Sequence, residues 1–503
     1  MRSKKSSGQI WNERMKRQPS KINVLYCAGR DIEPRLSADE HLIPYDIWTN
    51  KAHVLMLHKQ QLIPATILAK ILRALDALSK CYRSGKFRLD PLKEDVHMNI
   101  EAFVQAEAGP EASGWLHTAR SRNDQTTTDV RLYVRDRVLD FFGGIEALVG
   151  KILTQAAKHL ETPMPGYTHG RPAAVTTFAH YLASYAQALV RDLGRLQFAF
   201  GLLNQCPLGA VAAFGTTWPI DRDYSARLLA FELVQVNNLD CVTSRWEMEA
   251  EVAGAVAFFM THLSTVAQDL LFFSDPCRGF LTIDERYLTG SSVMPQKQNL
   301  DFAEVTRAKA SLVQSYAQAL HAMARGMLSG YNRDSQWTKY VIIDLFEEVH
   351  YAPRIFSDVI ASLKVNADAM LRHTQFGFIN AVEIADFLAQ TKALPFRSAH
   401  RLVAKAVKQS QAAGRMELAT LNQVLKDDGH TVRVSKKEWT SLEEPLKRLG
   451  MKQHLGAPSP RAVRSHLQGL ERLRITHRNW LTQKLANLNT AKKGLEKEIK
   501  KYL

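Results

Sequence analysis

The feature that most limits what this chain can fold into is its long helical periodicity. Apolar side chains recur at Val134, Val138, Phe141, Ile145, Leu148 and Ile152, in alternating steps of four and three. Steps of that size line one face of an α-helix, so the spacing predicts a long helix with its stripe buried against other helices. A second run passes through Val175, Phe178, Leu182, Tyr185, Leu189, Leu193 and Leu196, with Arg191, Asp192 and Arg195 on other faces. A third, Val252 to Phe273, is apolar around most of its circumference, as a helix in the middle of a bundle would be. No comparable set of alternating strands separated by turn signals appears. The predicted fold class is therefore all-α. A central long-helix bundle is expected over residues 119–372, between a smaller N-terminal helical domain (1–118) and a C-terminal one (373–503). Long helices of this kind are also a common basis for oligomers.

Between the helices lie segments rich in Gly, Pro, Thr and Ser: 116–128, 163–174, 207–221 and 289–299. Such breaks end helices and bring polar groups and free backbone N–H donors to a cleft. Toward the C-terminus, Gly429, Gly450, Gly456, Pro458 and Pro460 punctuate shorter elements. A last helix carries Leu481, Leu485, Leu488, Leu495 and Ile499, but Lys492 and Gly494 interrupt its seam. Its final turns are expected to be a solvated extension.

Charge and cysteine content narrow the function classes. The net charge is +16, but residues 1–20 hold six Lys/Arg against one acid, and 461–503 hold eleven against three. The body is nearly neutral, so a nucleic-acid reading would rest on the ends alone, without a recognised module. Five dispersed cysteines with no Cys-x-x-Cys pair argue for a reducing compartment and against a disulfide framework or zinc ribbon. The first twenty residues lack an apolar signal core, and Glu13 speaks against a transit peptide. Val252 to Met260, the most apolar stretch, is too short to span a bilayer. The expectation is a cytoplasmic protein without a membrane partner.

Three breaks carry residues suited to chemistry. Residues 290–299 (Gly-Ser-Ser-Val-Met-Pro-Gln-Lys-Gln-Asn) combine a flexible Gly, two hydroxyls, a cation and an amide before a helix containing Glu304. Free N–H groups and an ammonium in such a loop can stabilise developing negative charge. On spacing alone, a turn or helix cap is the better explanation of the same residues. Residues 117–125 (His-Thr-Ala-Arg-Ser-Arg-Asn-Asp-Gln) offer a guanidinium fork that matches a carboxylate, or a cap for a helix beginning near Thr128. In Gly166-Tyr167-Thr168-His169-Gly170 the imidazole is either a proton carrier or a structural histidine.

Together these segments resemble the argininosuccinate lyases of the fumarase/aspartase superfamily. Ser-Arg-Asn-Asp-Gln at 121–125 is similar to the characteristic segment of those lyases, and 290–299 is similar to the superfamily signature. Residues 207–222, 43–47 (Ile-Pro-Tyr-Asp-Ile), 94–97 (Glu-Asp-Val-His), 384–388 and 395–400 resemble further family blocks in the right order. The resemblance implies an α-helical homotetramer with active sites shared between subunits. It also implies a cofactor-free, metal-free β-elimination of an N-substituted aspartate to fumarate and an amine, with arginine the first choice of amine. By motif position Ser291 is the catalytic base on a mobile loop. Thr168 and His169 are the substrate-contacting pair, and Glu304 is the partner of His169. Lys297 and Asn299 stabilise the intermediate or hold substrate. Ser121, Arg122 and Asn123 contact the succinyl half, and Tyr331, Gln336 and Lys339 the amino-acid half.

The chemistry agrees with that assignment. Removing a proton beside a carboxylate makes a dianionic aci-carboxylate, which calls for concentrated donors and cations. A serine hydroxyl can act as base only where donors stabilise its alkoxide and water is excluded. Departures from the family pattern fall around the amine half. Gly170-Arg171-Pro172-Ala173-Ala174-Val175 replaces an amide-bearing segment, and Asn50 stands where a substrate-contacting Ser is expected. Trp337 and Thr338 replace an acidic pair, and Ala119 replaces a Gly. These keep open a related aminosuccinate lyase, such as one for ethylenediamine-disuccinate. A non-enzymatic structural relative is disfavoured by the retained Ser291, His169 and Lys297. The Ser-Arg-Asn-Asp-Gln block speaks against adenylosuccinate lyase and fumarase.

Overall fold

A computed structural model of the chain describes Met15 and residues 17–503, so most of the basic N-terminal run falls outside the described residues. The molecule is predominantly α-helical with a long helical core and smaller flanking helical segments. Two N-terminal helices frame the functional region. These are α1 (Ala38–Lys59), opened by a Ser37/Glu40 capping box, and α2 (Val96–Ala108), capped by Asp95.

The predicted 134–152 stripe lies on α3 (Arg122–Lys158), and all six of its side chains are buried. This helix begins at Arg122 rather than near Thr128. The reason is local: Ser121 Oγ accepts the Asn123 N–H at 3.2 Å, and the Ser121 N–H donates to Asp124 Oδ1 at 2.9 Å. That reciprocal box satisfies the orphan donors of the first turn six residues upstream of the expected start.

The second periodic run is interrupted by structure that the periodicity concealed. Val175 belongs not to a helix but to a hairpin, β1 (Pro163–Thr168) paired antiparallel with β2 (Arg171–Thr177). Only then does α4 (Phe178–Leu203) begin, capped by Thr177. An apolar residue three before a helical stripe fits a strand face equally well, so spacing alone does not separate the two. The third run forms α5 (Glu247–Ser274), which packs against α4 and against α6 (Asp301–Met323). Its apolar stretch is longer than the nine residues judged too short to span a bilayer. Among the described residues it is the one helix long and apolar enough by length and composition, and half of that window is buried in the bundle.

After α7 (Thr338–Val349), the chain builds a second apolar core from Ile384, Leu388, Leu402, Leu421, Leu425, Trp439 and Leu442. The short helix α8 (Pro445–Met451) follows, and the last helix, α9 (Pro460–Ile499), returns to the bundle along α3 and α4. Its end is not a solvated extension. Leu488, Leu495 and Ile499 are buried, the Lys492 ammonium lies 5.0 Å from the centroid of the Trp48 ring, and Tyr502 meets His58 edge-on. Lys492 interrupts the leucine seam but covers an aromatic face with its stem and cation.

Candidate active site

Ser121, Arg122 and Asn123 form the capped start of α3, where the positive end of the helix dipole favours an anion. Arg122 is half exposed; its Nη1 lies 2.9 Å from Asp95 Oδ2 and 3.4 Å from Glu94 Oε2. The other oxygen of Glu94 is 3.9 Å from Arg333 Nη2, which draws the 331–339 segment to the same cleft. There the Tyr331 hydroxyl donates to Gln336 Oε1 at 3.4 Å. Lys339 is buried and donates to Asp39 Oδ1 at 2.5 Å, while Asp39 Oδ2 accepts the Val96 N–H at 3.0 Å. Two carboxylates at the N-terminus of α2 thus each hold a cation of the cleft. Trp337 is exposed beside Tyr340, and Thr338 is buried with its hydroxyl on the Ser335 carbonyl.

Below the cleft, Asp124 joins the start of α3 to the 207–222 block. Its Oδ2 accepts the N–H groups of Gly209 and Val211 at 2.8 and 2.9 Å. Burial pushes its carboxyl up to about 6 against the pull of those backbone donors. Gly209 has φ +90°, and a Cβ there would come within 2.8 Å of the Arg222 side chain. Arg222 in turn donates to the carbonyls of Leu208 and Gln235. The block is a frame for the cleft.

Deeper still is a polar cluster that the sequence reading did not assign. His97 bridges Asp46 Oδ1 at 3.0 Å and Thr126 Oγ1 at 2.8 Å, and Gln125 donates to the same Asp46 oxygen. Thr49 donates to Asp129 Oδ1. Burial opposes ionisation of Asp46, but His97 and Arg120 outweigh it and hold the carboxyl down to about 2. Burial and the Asp46 charge push Asp129 well up. Asn50, which stands where the family pattern has a substrate-contacting Ser, is buried here, donating to Asp46 and accepting from Arg120 at 2.5 Å. The donor atoms of Asp46, His97 and Asp129 lie within 4.8 Å of one another, a spacing that suits a metal ion. The N–H donors already on Asp46 make the cluster a strut between α1, α2 and α3 instead. The 43–47 and 94–97 blocks each contain one of its members, which is the signal available in the sequence.

Two further groups stand on separate elements. Thr168 and His169 occupy the exposed hairpin tip, where Thr168 pairs with Arg171 across a two-residue His169-Gly170 turn. Both turn residues have positive φ, +52° and +70°, the geometry that matches strand twist and favours Gly at the second position. Ser291 lies in a loop closed by reciprocal backbone hydrogen bonds between Thr289 and Asn299, at 3.0 and 2.8 Å. The N–H groups of Met294 and Val293 converge on Ser291 Oγ at 2.9 and 3.3 Å. Lys297 is exposed in the same loop, Asn299 closes it, and Glu304 is exposed on the first turn of α6. The fold therefore brings Ser121–Asn123 to Tyr331–Lys339, and Ser291, Lys297 and Asn299 to one loop. Among the described residues no hydrogen bond or ion pair joins His169, Ser291 and Arg122.

Comparison with known proteins decides the family. A profile described as "Lyase" matches residues 35–315, and one described as "Argininosuccinate lyase C-terminal" matches 378–440. The argininosuccinate lyase of Thiobacillus denitrificans is 37% identical over 462 residues, covering 90% of this chain and 96% of that protein. This chain belongs to the fumarase/aspartase superfamily of lyases. Argininosuccinate lyase 2 of Shouchella clausii is 41% identical over 369 residues, covering 73% of this lyase and 79% of its relative. In fold, this lyase is similar to the crystal structure of EDDS lyase in complex with formate (TM-score 0.86, 24% identity, 97% and 96% of the two chains). It is a carbon–nitrogen lyase whose β-elimination releases fumarate.

Proposed function

We propose that this lyase takes an N-substituted aspartate, removes the proton beside its carboxylate with Ser291, and expels the amine to leave fumarate. The observation that carries this reading is the convergence of two backbone N–H groups on Ser291 Oγ, since donors aimed at that oxygen favour its negative form. Arg122, Ser121 and Asn123 hold the succinyl carboxylates. Lys297 and Asn299, on the base's own loop, stabilise the aci-carboxylate as charge builds there, the first by its charge and the second by hydrogen bonding. His169, paired with Glu304 and flanked by Thr168, carries the proton to the leaving nitrogen. The residues need no cofactor for these steps.

Three exposed groups on three elements support a site assembled between chains of a homotetramer, each chain lending the hairpin tip, the Ser291 loop or the Arg122 cleft. The segments that carry them are exposed or partly exposed, and exposed Phe198 and Phe258 on the long α4 and α5 helices suit association. The dispersed free cysteines fit a cytoplasmic setting.

The amine pocket is where this lyase parts from the argininosuccinate lyase pattern. Tyr331, Gln336 and Lys339 are retained, and the curated relatives are named argininosuccinate lyase, so arginine is one candidate amine. A specific observation favours the wider class of aminosuccinates: Lys339 is held by Asp39, and Trp337 and Thr338 present no carboxylate to a guanidinium. Losing one polar partner typically costs about 1–3 kcal/mol, enough to relax the choice of amine roughly ten- to a hundredfold. The test is kcat/KM for argininosuccinate, ethylenediamine-disuccinate and adenylosuccinate, followed by fumarate absorbance. Comparable values for the first two are expected. Turnover confined to argininosuccinate would restrict the pocket to arginine, and no fumarate from any of the three would refute the reading.

A further inference from the structure

The C-terminal unit contains a cleft of about 370 Å³, far in sequence from every residue assigned to elimination. That volume lies in the range of small-molecule sites. Its walls are the 374–380 segment, the 413–416 turn, Glu443 and Arg448. Arg448 is 1% exposed, and its Nε and Nη1 atoms have no hydrogen-bond partner. A guanidinium buried with idle N–H groups is costly unless something with matching acceptors meets it. Glu383 lies close enough to favour its charged form but makes no hydrogen bond to it; that carboxylate is 2.7 Å from Lys452, and its two buried oxygens have no hydrogen-bond partner. A second guanidinium, Arg415, and the Asn380 amide line the same cleft, and among the described residues that line it Glu443 is the one carboxylate.

We infer that this cleft is a binding site for a small oxyanion, a carboxylate or a phosphate, held by the forks of Arg448 and Arg415. Planar guanidinium groups match pairs of oxygens on either anion. The place of the cleft gives a bound anion a route to the hairpin. Arg448 is on α8, which packs against β2, and its neighbour Leu449 is buried with Val175 of that strand and Ile379. The strand ends at the turn that carries His169.

The experiment measures binding of inorganic phosphate and of succinate to the full chain, by calorimetry and by melting-temperature shift. It is run in native protein and in Arg122→Gln, which silences the elimination cleft. Binding of either anion that persists in Arg122→Gln, weakens about tenfold or more in Arg415→Gln and tightens severalfold in Glu443→Gln is expected. Phosphate alone or succinate alone would identify the source of the oxyanion. Arg448→Met should abolish binding; if that variant does not fold, the exposed Arg415→Gln decides. No binding of either anion would overturn the inference. So would a response lost in Arg122→Gln but unchanged in Arg415→Gln and Glu443→Gln.

Discussion

Arg122 and Asp95 form an ion pair in which one carboxylate serves two ends: Oδ2 holds the guanidinium at 2.9 Å, while Oδ1 accepts the Met98 N–H at 2.8 Å and caps α2. The cap and the cation are therefore separable by substitution. Asp95→Asn keeps a capping oxygen and should change stability by only a few tenths of a kcal/mol, whereas Asp95→Ala should cost about 1 kcal/mol. Denaturant unfolding of the two variants checks this; equal losses would mean that the ion pair, not the cap, carries the stability.

The same pair sets an expectation for substrate binding. Arg122 is half exposed, so Arg122→Gln should leave the melting temperature nearly unchanged while raising KM about tenfold or more through loss of a charged carboxylate contact. Steady-state kinetics with the preferred aminosuccinate measures it. An unaltered KM would remove Arg122 from the succinyl site.

Ser291→Ala should abolish fumarate formation with folding and assembly intact. The side chain is partly exposed in a loop, and its removal deletes an acceptor for two N–H groups without opening a core cavity. Near-native turnover of this variant would rule out Ser291 as the base.

Deleting residues 491–503 should destabilise the protein measurably. Leu495 and Ile499 are each 6% exposed, and burial of such a side chain stabilises by about 1.5–3 kcal/mol. A truncated chain that melts with the full-length protein would show that the last turns contribute nothing to the bundle.

Stability should fall as pH rises from about 4.5 to 7 because of Glu249. This side chain is 1% exposed with Oε2 unpartnered, and burial pushes its carboxyl up to about 7. In that window the unfolded chain has already released the proton that the folded chain keeps, so each unit of pH costs folding about 1.4 kcal/mol, on the order of 3 kcal/mol in all. Glu249→Gln should flatten the profile between those limits. Thermal melts at stepped pH test it, and parallel profiles for the two proteins would contradict the assignment.

The helices were legible because burial along a helix repeats every three to four residues whatever lies opposite. Val134, Val138, Phe141, Ile145, Leu148 and Ile152 are buried as their spacing implies. The hairpin was not legible from that period, since Val175 continues the helical count while lying in a strand. Most of the candidate site could be read as segments, yet how those segments stand to one another could not. The family blocks at 43–47 and 94–97 contain Asp46 and His97, but nothing local says that these two meet through a 3.0 Å hydrogen bond.

By itself, then, the sequence determined the stripes that make this protein a helical bundle and the residue types its chemistry requires. Tertiary structure alone decided which charges are already engaged. Lys339 is neutralised by Asp39, 300 residues away, and Lys492, which breaks a leucine seam, covers Trp48. A periodic pattern reports one face of one element. The partner of a charge depends on which elements dock, and that is set by the packing of the whole core.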